Sequence, residues 1–196
     1  MSAEKSLDRR DAVLRLLADR GETVVVTGLG SPTYDVAAAG DHDRNFYLWG
    51  AMGGAAMTGL GIALAQPDVP VLVVTGDGEM LMGMGSFAAI AKQAPANLTV
   101  VVIDNELYGE TGAQETHTAS GADLAAIAKA CGVKNTCTIT DMERVDALAQ
   151  DVHKVGAGPR IAVLKVARTS TKKTLAIREG AYIKARLRMA LGLSVD

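Results

Sequence analysis

A chain of 196 residues, 48% of them hydrophobic, is long enough to bury one substantial core and, at roughly 100–200 residues per domain, is expected to form a single domain. Its 20 basic and 22 acidic residues leave a formal charge of -2 and a pI ≈ 5.9, so nothing in the composition favours nucleic acid or an anionic membrane surface. Small-molecule chemistry suits that balance better.

The N-terminal stretch MSAEKSLDRRDAVLRLLADRG scatters charge along its length and holds no unbroken apolar segment. It reads as neither a signal peptide nor a membrane anchor, and a cytoplasmic location is expected. Val13, Leu14, Leu16 and Leu17 are spaced as on one face of a helix, with Gly21 as its stop. Short apolar runs follow at ETVVVT (22–27), VPVLVVT (69–75), NLTVVVID (97–104), NTCTIT (135–140) and RIAVLKV (160–166), as expected of strands covered on both faces. Residues 53–66, 85–94, 121–132 and 141–155 carry the helical period, with Asp123 and Asp141 as N-caps of the last two. Strands alternating with helices predict an α/β fold, a doubly wound, mostly parallel sheet with helices on both faces. The tail, residues 168–196, is read as a basic helical C-terminal extension. A solvated amphipathic helix is the simpler reading of it, and a subunit interface or anion entry the other. Repeats, low-complexity tracts and linkers are not evident. Cys131 and Cys137 stand in no CxxC or zinc-like cluster, which predicts buried or idle thiols in a reducing compartment.

In a doubly wound sheet, ligands bind beyond the C-terminal strand ends. Gly76-Asp77-Gly78 lies at one such end. The glycines let backbone approach a ligand closely, but a carboxylate aimed at an anion held by amides would repel it, so a cation is expected between them. Asn105 follows Gly78 after 26 intervening residues, room for a loop, a crossover helix and the adjacent strand. Asp77, Asn105 and a nearby backbone carbonyl could then hold Mg²⁺, with two diphosphate oxygens and a water completing six oxygens. A competing pattern, Gly83-Met84-Gly85-Ser86-Phe87-Ala88, matches a dinucleotide fingerprint with Asp104 as the ribose acid. The fingerprint needs its first glycine at the strand end itself, and here the strand stops near Thr75.

Gly-Asp-Gly followed by an asparagine at the next strand end resembles the signature of thiamine-diphosphate enzymes, in their diphosphate-binding domain. FYLWGAMGGAAMTGLGIALAQP (46–67) resembles the segment that precedes the signature in 2-oxoacid decarboxylases. DNELYGETGAQ (104–114) is similar to the matching stretch of phosphonopyruvate and sulfopyruvate decarboxylases. The resemblance runs over residues 22 to 166. It implies Mg²⁺ held by Asp77, Asn105 and the carbonyl of Leu107, and a diphosphate lined by the amides of Gly76, Gly78 and Glu79. Met52 would wedge beneath the bent cofactor, and Gly50 would offer its carbonyl to the aminopyrimidine. Thr111, Gln114 and His117 would lie toward the substrate.

The glutamate that activates the cofactor in this family belongs to a separate pyrimidine-binding domain, for which the chain has no room. The resemblance therefore implies a β subunit completed by an α chain, at least α₂β₂, acting on a small anionic 2-oxoacid. The cation for a sulfonate or phosphonate would be Arg44 or a residue of the α chain. Glu79 departs from the smaller residues usual at its position, so its carboxylate should turn away or form an ion pair. A nucleotide-binding or regulatory module without catalysis is the reading from another class.

Overall fold

Residues 7–195 are described in a computed structural model. In chain order they form α1 (Arg9–Leu17), β1 (Val24–Thr27), α2 (Ser31–Ala38), β2 (Asn45–Tyr47), α3 (Ala55–Ala65), β3 (Val71–Gly76), α4 (Asp77–Met82), α5 (Ser86–Gln93) and β4 (Leu98–Asp104). A small hairpin of β5 (Leu107–Tyr108) and β6 (Gln114–Glu115) and a 3-10 turn at His117–Ser120 follow. The chain then makes α6 (Leu124–Ala130), β7 (Asn135–Ile139), α7 (Met142–Val152), β8 (Arg160–Lys165) and α8 (Gly180–Ala190).

Six strands make one parallel sheet in the order β2-β1-β3-β4-β8-β7. Alternation along each strand decides which layer a side chain joins. Val24, Val26, Val71, Val73, Val100 and Val102 pack with α3, α5 and α6. Val25, Leu72, Val74, Val101 and Ile103 face α1, α2 and α7 on the other side. The central strands β1, β3 and β4 are thus nearly all apolar because both faces are covered.

All five expected strands and the four expected internal helices form, with ends moved by a few residues. Asp123 and Asp141 cap α6 and α7 by accepting from the amides of Ala126 and Arg144. The N-terminal helix stops at Leu17, short of Gly21, with Ala18 as its cap. Besides β5, β6 and the 3-10 turn, three elements were not legible. The edge strand β2 is too short to make an apolar run; α2 starts behind Gly30 with Pro32 in its first turn; and Gly76-Asp77-Gly78, read as a loop, is the end of β3 running directly into α4.

The tail is a correction. Only Gly180–Ala190 is helical, and residues 168–179 cross the C-terminal end of the sheet without regular structure. Nor is α8 merely solvated. Ile183 and Leu187 are buried, and Arg186 donates to the Asn45 carbonyl (3.1 Å) and pairs with Asp41, so α8 covers the edge strand β2. Cys131 is exposed and Cys137 half-buried, both free, so of the two readings of these thiols the buried one does not hold. Among the described residues no helix is long and apolar enough to cross a membrane.

Candidate functional site

The strand order reverses between β1 and β3, where the helices that follow the two strands go to opposite faces and leave a crevice. A cavity of about 530 Å³ lies there, walled by the segments that follow β1, β3 and β4. The dinucleotide-like Gly83–Ala88 stretch is elsewhere, at the junction of α4 and α5 rather than at a strand end.

Gly76 pairs with Ile103, so the first residue of α4, Asp77, stands beside the loop that leaves β4. Asp77 is 2% exposed. Its Oδ2 accepts from Thr116 Oγ1 (2.5 Å) and Thr118 Oγ1 (3.3 Å), and neither hydroxyl goes to Oδ1. Burial raises its pKa, the Thr116 hydroxyl works against the rise, and the nearby Asp104 adds to it. A carboxylate so placed gains from a cation.

Asn105 Oδ1 accepts the amide of Leu107 (3.1 Å), folding the loop back toward Asp77. Glu106, between them, takes a positive φ of 62° and is held by Lys165 (2.5 Å) and Arg168 (2.6 Å). Those two cations lower its pKa. Asp77, Asn105 and Leu107 all line the cavity. Carboxylate, amide and carbonyl oxygens suit a hard cation that takes its remaining ligands from a bound anion and water. Among the described residues no group of three or more His, Cys, Asp or Glu could hold a metal, so a site here depends on such an anion.

Two further features prepare the cavity for that anion. A Cβ at Gly78 would stand 2.4 Å from the Tyr108 ring, so glycine lets the ring close over the first turn of α4. The N-terminus of α2, at Gly30 to Pro32, also faces the cavity, and its amides lack helical partners. Sequence reasoning missed this second helix end. The glycines around Ser31 and the proline that suits a first turn were its available signal.

Glu79 lines the cavity, and among the described residues its buried carboxylate forms no ion pair. Its Oε2 accepts the Leu29 amide (3.2 Å). Gly28 leaves room for the carboxylate, since a Cβ there would sit 1.7 Å from Oε2. Burial raises its pKa against the Thr75 hydroxyl and the amides of Leu29, Gly53 and Ala55.

Of the other expected site residues, Met52 lines the cavity at 38% exposure, while Gly50 (φ 78°) is exposed beside it and forms no part of the wall. Thr111 lines the cavity and donates to Gln114 Oε1 (2.9 Å); Gln114 returns a bond to the Thr111 carbonyl (2.8 Å) from outside the wall. His117 is exposed and stands apart from the cavity. Arg44 is misplaced as an anion receptor. It precedes β2 at the opposite end of the sheet, where it pairs with Glu22. The cavity instead holds Arg9, Tyr34 and Trp49, none of which the sequence singled out.

A parallel sheet with helix N-termini and an oxygen-donor loop around the crevice at its switch point is an arrangement suited to a phosphorylated ligand. The family described as "Thiamine pyrophosphate enzyme, C-terminal TPP binding domain" matches residues 30–166, and the chain belongs to it. It is 40% identical over 139 residues to the sulfopyruvate decarboxylase subunit beta of Methanocaldococcus jannaschii, covering 70% of this chain and 73% of that one. Against the sulfopyruvate decarboxylase of Methanosarcina acetivorans the identity is 39% over 137 residues, 70% of this chain and 35% of that protein. Against the phosphonopyruvate decarboxylase of Streptomyces viridochromogenes it is 44% over 141 residues, again 70% and 35%. The chain thus spans about a third of the length of the latter two. The fold matches benzoylformate decarboxylase from Polynucleobacter necessarius with a TM-score of 0.68 at 17% identity, over 84% of this chain and 34% of that one.

Proposed function

We propose that this chain is the β subunit of a thiamine-diphosphate- and Mg²⁺-dependent decarboxylase, acting on 3-sulfopyruvate to give sulfoacetaldehyde and CO₂. The observation that carries the reading is the oxygen set of Asp77, Asn105 and Leu107 between two helix N-termini. The jannaschii subunit supports the substrate and the heteromer; the Streptomyces protein favours phosphonopyruvate as the second reading.

Thiamine diphosphate, when bound, supplies the electron sink that lets CO₂ leave a 2-oxoacid. The residues of this chain bind and orient. Asp77 and Asn105 side chains and the Leu107 carbonyl would hold Mg²⁺, and the amides of Gly76, Gly78 and Glu79, with those at the start of α2, would take the diphosphate. Met52 would support the bent cofactor, with the Gly50 carbonyl toward its aminopyrimidine. Thr111, fixed by Gln114, would face the substrate; His117 would reach it only if its loop moved inward.

Activation requires a glutamate, and among the described residues each one near the cavity already has a protein partner, although Glu79 Oε1 keeps none. Glu79 is tied to the Leu29 amide, and Glu110 to Lys173 (2.8 Å). Glu106 and Glu115 are paired to Arg168, and Glu22 lies at the other end of the sheet with Arg44. The activating carboxylate would come from an α chain with the pyrimidine-binding half, a reading that the jannaschii subunit beta supports, in an assembly of at least α₂β₂ given closed symmetry. We place this assembly in the cytoplasm.

The test is reconstitution. The chain alone should release no CO₂ from sulfopyruvate, and adding the partner should raise activity until it saturates near one to one. Turnover by the isolated chain would sink the split-site reading. Cofactor binding without turnover in any mixture would mark a non-catalytic module, and tight NAD binding would revive the fingerprint at residues 83–88.

A further inference from the structure

We infer that Arg9 is the receptor for a second anionic group of the substrate, a sulfonate or phosphonate carried on C3 of the 2-oxoacid. This rests on the decarboxylase reading and narrows it to one substrate class.

Among the described residues that line the cavity, Arg9 is the only cation. Two nearby basic side chains are otherwise engaged. Lys173 lies 5.4 Å from the Tyr34 ring and pairs with Glu110, and Arg178 lies 5.2 Å from the Trp49 ring.

Helix stability does not explain Arg9. It is the first residue of α1, the end at which the helix dipole disfavours a cation. Charge pairing does not exhaust it either. Asp35 is fully buried and serves two guanidiniums, Arg9 Nε at 3.3 Å and Arg10 Nε at 3.1 Å, so one positive charge is left over. The Arg10 side chain is 28% exposed and can give its excess to water, whereas that of Arg9 is 4% exposed. Arg9 Nε also has no aligned hydrogen bond, although it lies close to Asp35. A guanidinium stays charged, so a buried surplus at a cavity wall calls for an anion.

The cofactor's diphosphate is already provided for by the two helix N-termini and the cation site. Arg9, and Thr171 whose hydroxyl accepts from Arg9 Nη2, both lie outside residues 30–166 that the chain shares with its family. That placement suits a part that selects substrate rather than one that binds the common cofactor. The planar fork can take two oxygens of a tetrahedral oxyanion.

Arg9→Gln should fold, because Asp35 keeps Arg10. The probes are sulfoacetate, phosphonoacetate and acetate, titrated calorimetrically into the full chain with Mg²⁺ and thiamine diphosphate. Arg9→Gln should weaken sulfoacetate or phosphonoacetate by roughly 10- to 100-fold, the worth of hydrogen bonds to a charged group, while acetate and cofactor affinities stay within about twofold. Whichever oxyanion binds wild type more tightly names the source. In the partnered enzyme the same variant should raise KM for that 3-anionic oxoacid and leave kcat and the KM for pyruvate nearly unchanged.

Thr171→Val removes the positioning hydroxyl and keeps the charge, so KM should rise severalfold with kcat held. If Arg9→Gln does not fold, this variant and Arg9→Lys, which loses the fork, decide by the same measurements. Unchanged oxyanion affinity in the variants, or an equal loss of cofactor binding, overturns the inference. An enzyme that decarboxylates only uncharged oxoacids and ignores both oxyanions overturns it too, while the decarboxylase reading stands. Arg9-dependent oxyanion binding with no decarboxylation by the partnered enzyme supports the anion site and removes the decarboxylase reading instead.

Discussion

The two ends of the sheet use similar residues to different ends. At the N-terminal end of the strands, Arg20 donates to Asn45 Oδ1 (2.5 Å) and to the Thr23 carbonyl (2.8 Å). There too Arg44 pairs with Glu22, and His153 bridges Thr23 Oγ1 (2.9 Å) and the Leu16 carbonyl (2.8 Å). These groups close on protein partners, Arg20 Nε being the one buried atom among them left without a hydrogen bond. At the C-terminal end, Asp77 and Glu79 are buried without any cation, and Arg9 has only half a carboxylate. One end completes a fold and the other awaits ligands, because buried polar groups left short of partners carry a cost that only binding removes.

The largest effect should come from the end that awaits ligands. Changes to groups that merely support a metal ligand typically cost roughly 10–100-fold in metal affinity, so losing a ligand should cost more than about 100-fold. Asp77→Ala is therefore expected to abolish Mg²⁺-dependent thiamine-diphosphate binding, read from the fluorescence of Trp49, the single tryptophan and a cavity residue. The cofactor-free chain should keep its thermal midpoint, because the carboxylate is held there with a raised pKa and no cation. Wild-type affinity in this variant would remove the metal assignment.

Gly78→Ala should act more weakly. Its methyl would meet the Tyr108 ring at 2.4 Å, and overpacking of this kind costs about 1–3 kcal/mol, so cofactor affinity should fall by about tenfold as Tyr108 and the adjoining Leu107 shift. Gly78→Ala combined with Tyr108→Ala should recover part of that loss if the clash is its source.

The comparison also explains what could be read from sequence. The central strands were legible because burial on both faces forces uninterrupted runs such as Val71–Val74, and Asp77 and Asn105 because each ends such a run in a short motif, the two set one crossover apart. Arg9 was not. Its role depends on Leu7 pairing beside Val166 and on Thr171 returning over α1, contacts far apart in the chain that no local pattern encodes. Arg44 and a residue of the α chain were the two sources open for the expected cation. Only the direction of β2 shows that it precedes its strand and so lies at the wrong end. The tail misled for a related reason, since its basic residues resemble a solvated face while Arg186 is buried on Asp41.

A smaller effect is expected from His153, at the closed end. Burial lowers its pKa below the ordinary 6.5, against the Leu16 carbonyl bond that raises it. The unfolded chain therefore binds the proton first. Stability contributed by the neutral ring is complete above pH 6.5 and is lost as pH falls from there through the folded pKa. The urea midpoint of wild type should drop between about pH 7.5 and 5.5 by more than that of His153→Gln. Parallel profiles would place the acid sensitivity elsewhere, His42 being the other histidine whose pKa is lowered by burial.

The smallest effect should follow from Arg44→Ala, and it sharpens the contrast because Arg44 and Arg9 are the two arginines that could each be asked to receive an anion. Arg44 pairs with a glutamate that is 79% exposed, and exposed pairs are worth about 0–1 kcal/mol, so stability should change within that range. Its separation from the cavity by the length of the sheet leaves no direct path to a substrate. Screening further weakens any through-space influence beyond about 8–10 Å at ordinary salt. KM for a 3-anionic oxoacid should therefore move by less than about twofold, where Arg9→Gln moves it by roughly tenfold or more. The two variants remove the same charge from the same chain, so their difference isolates position from net charge. If both raised KM alike, and high salt erased both effects, the protein's overall field would be steering the substrate and Arg9 would lose its particular role.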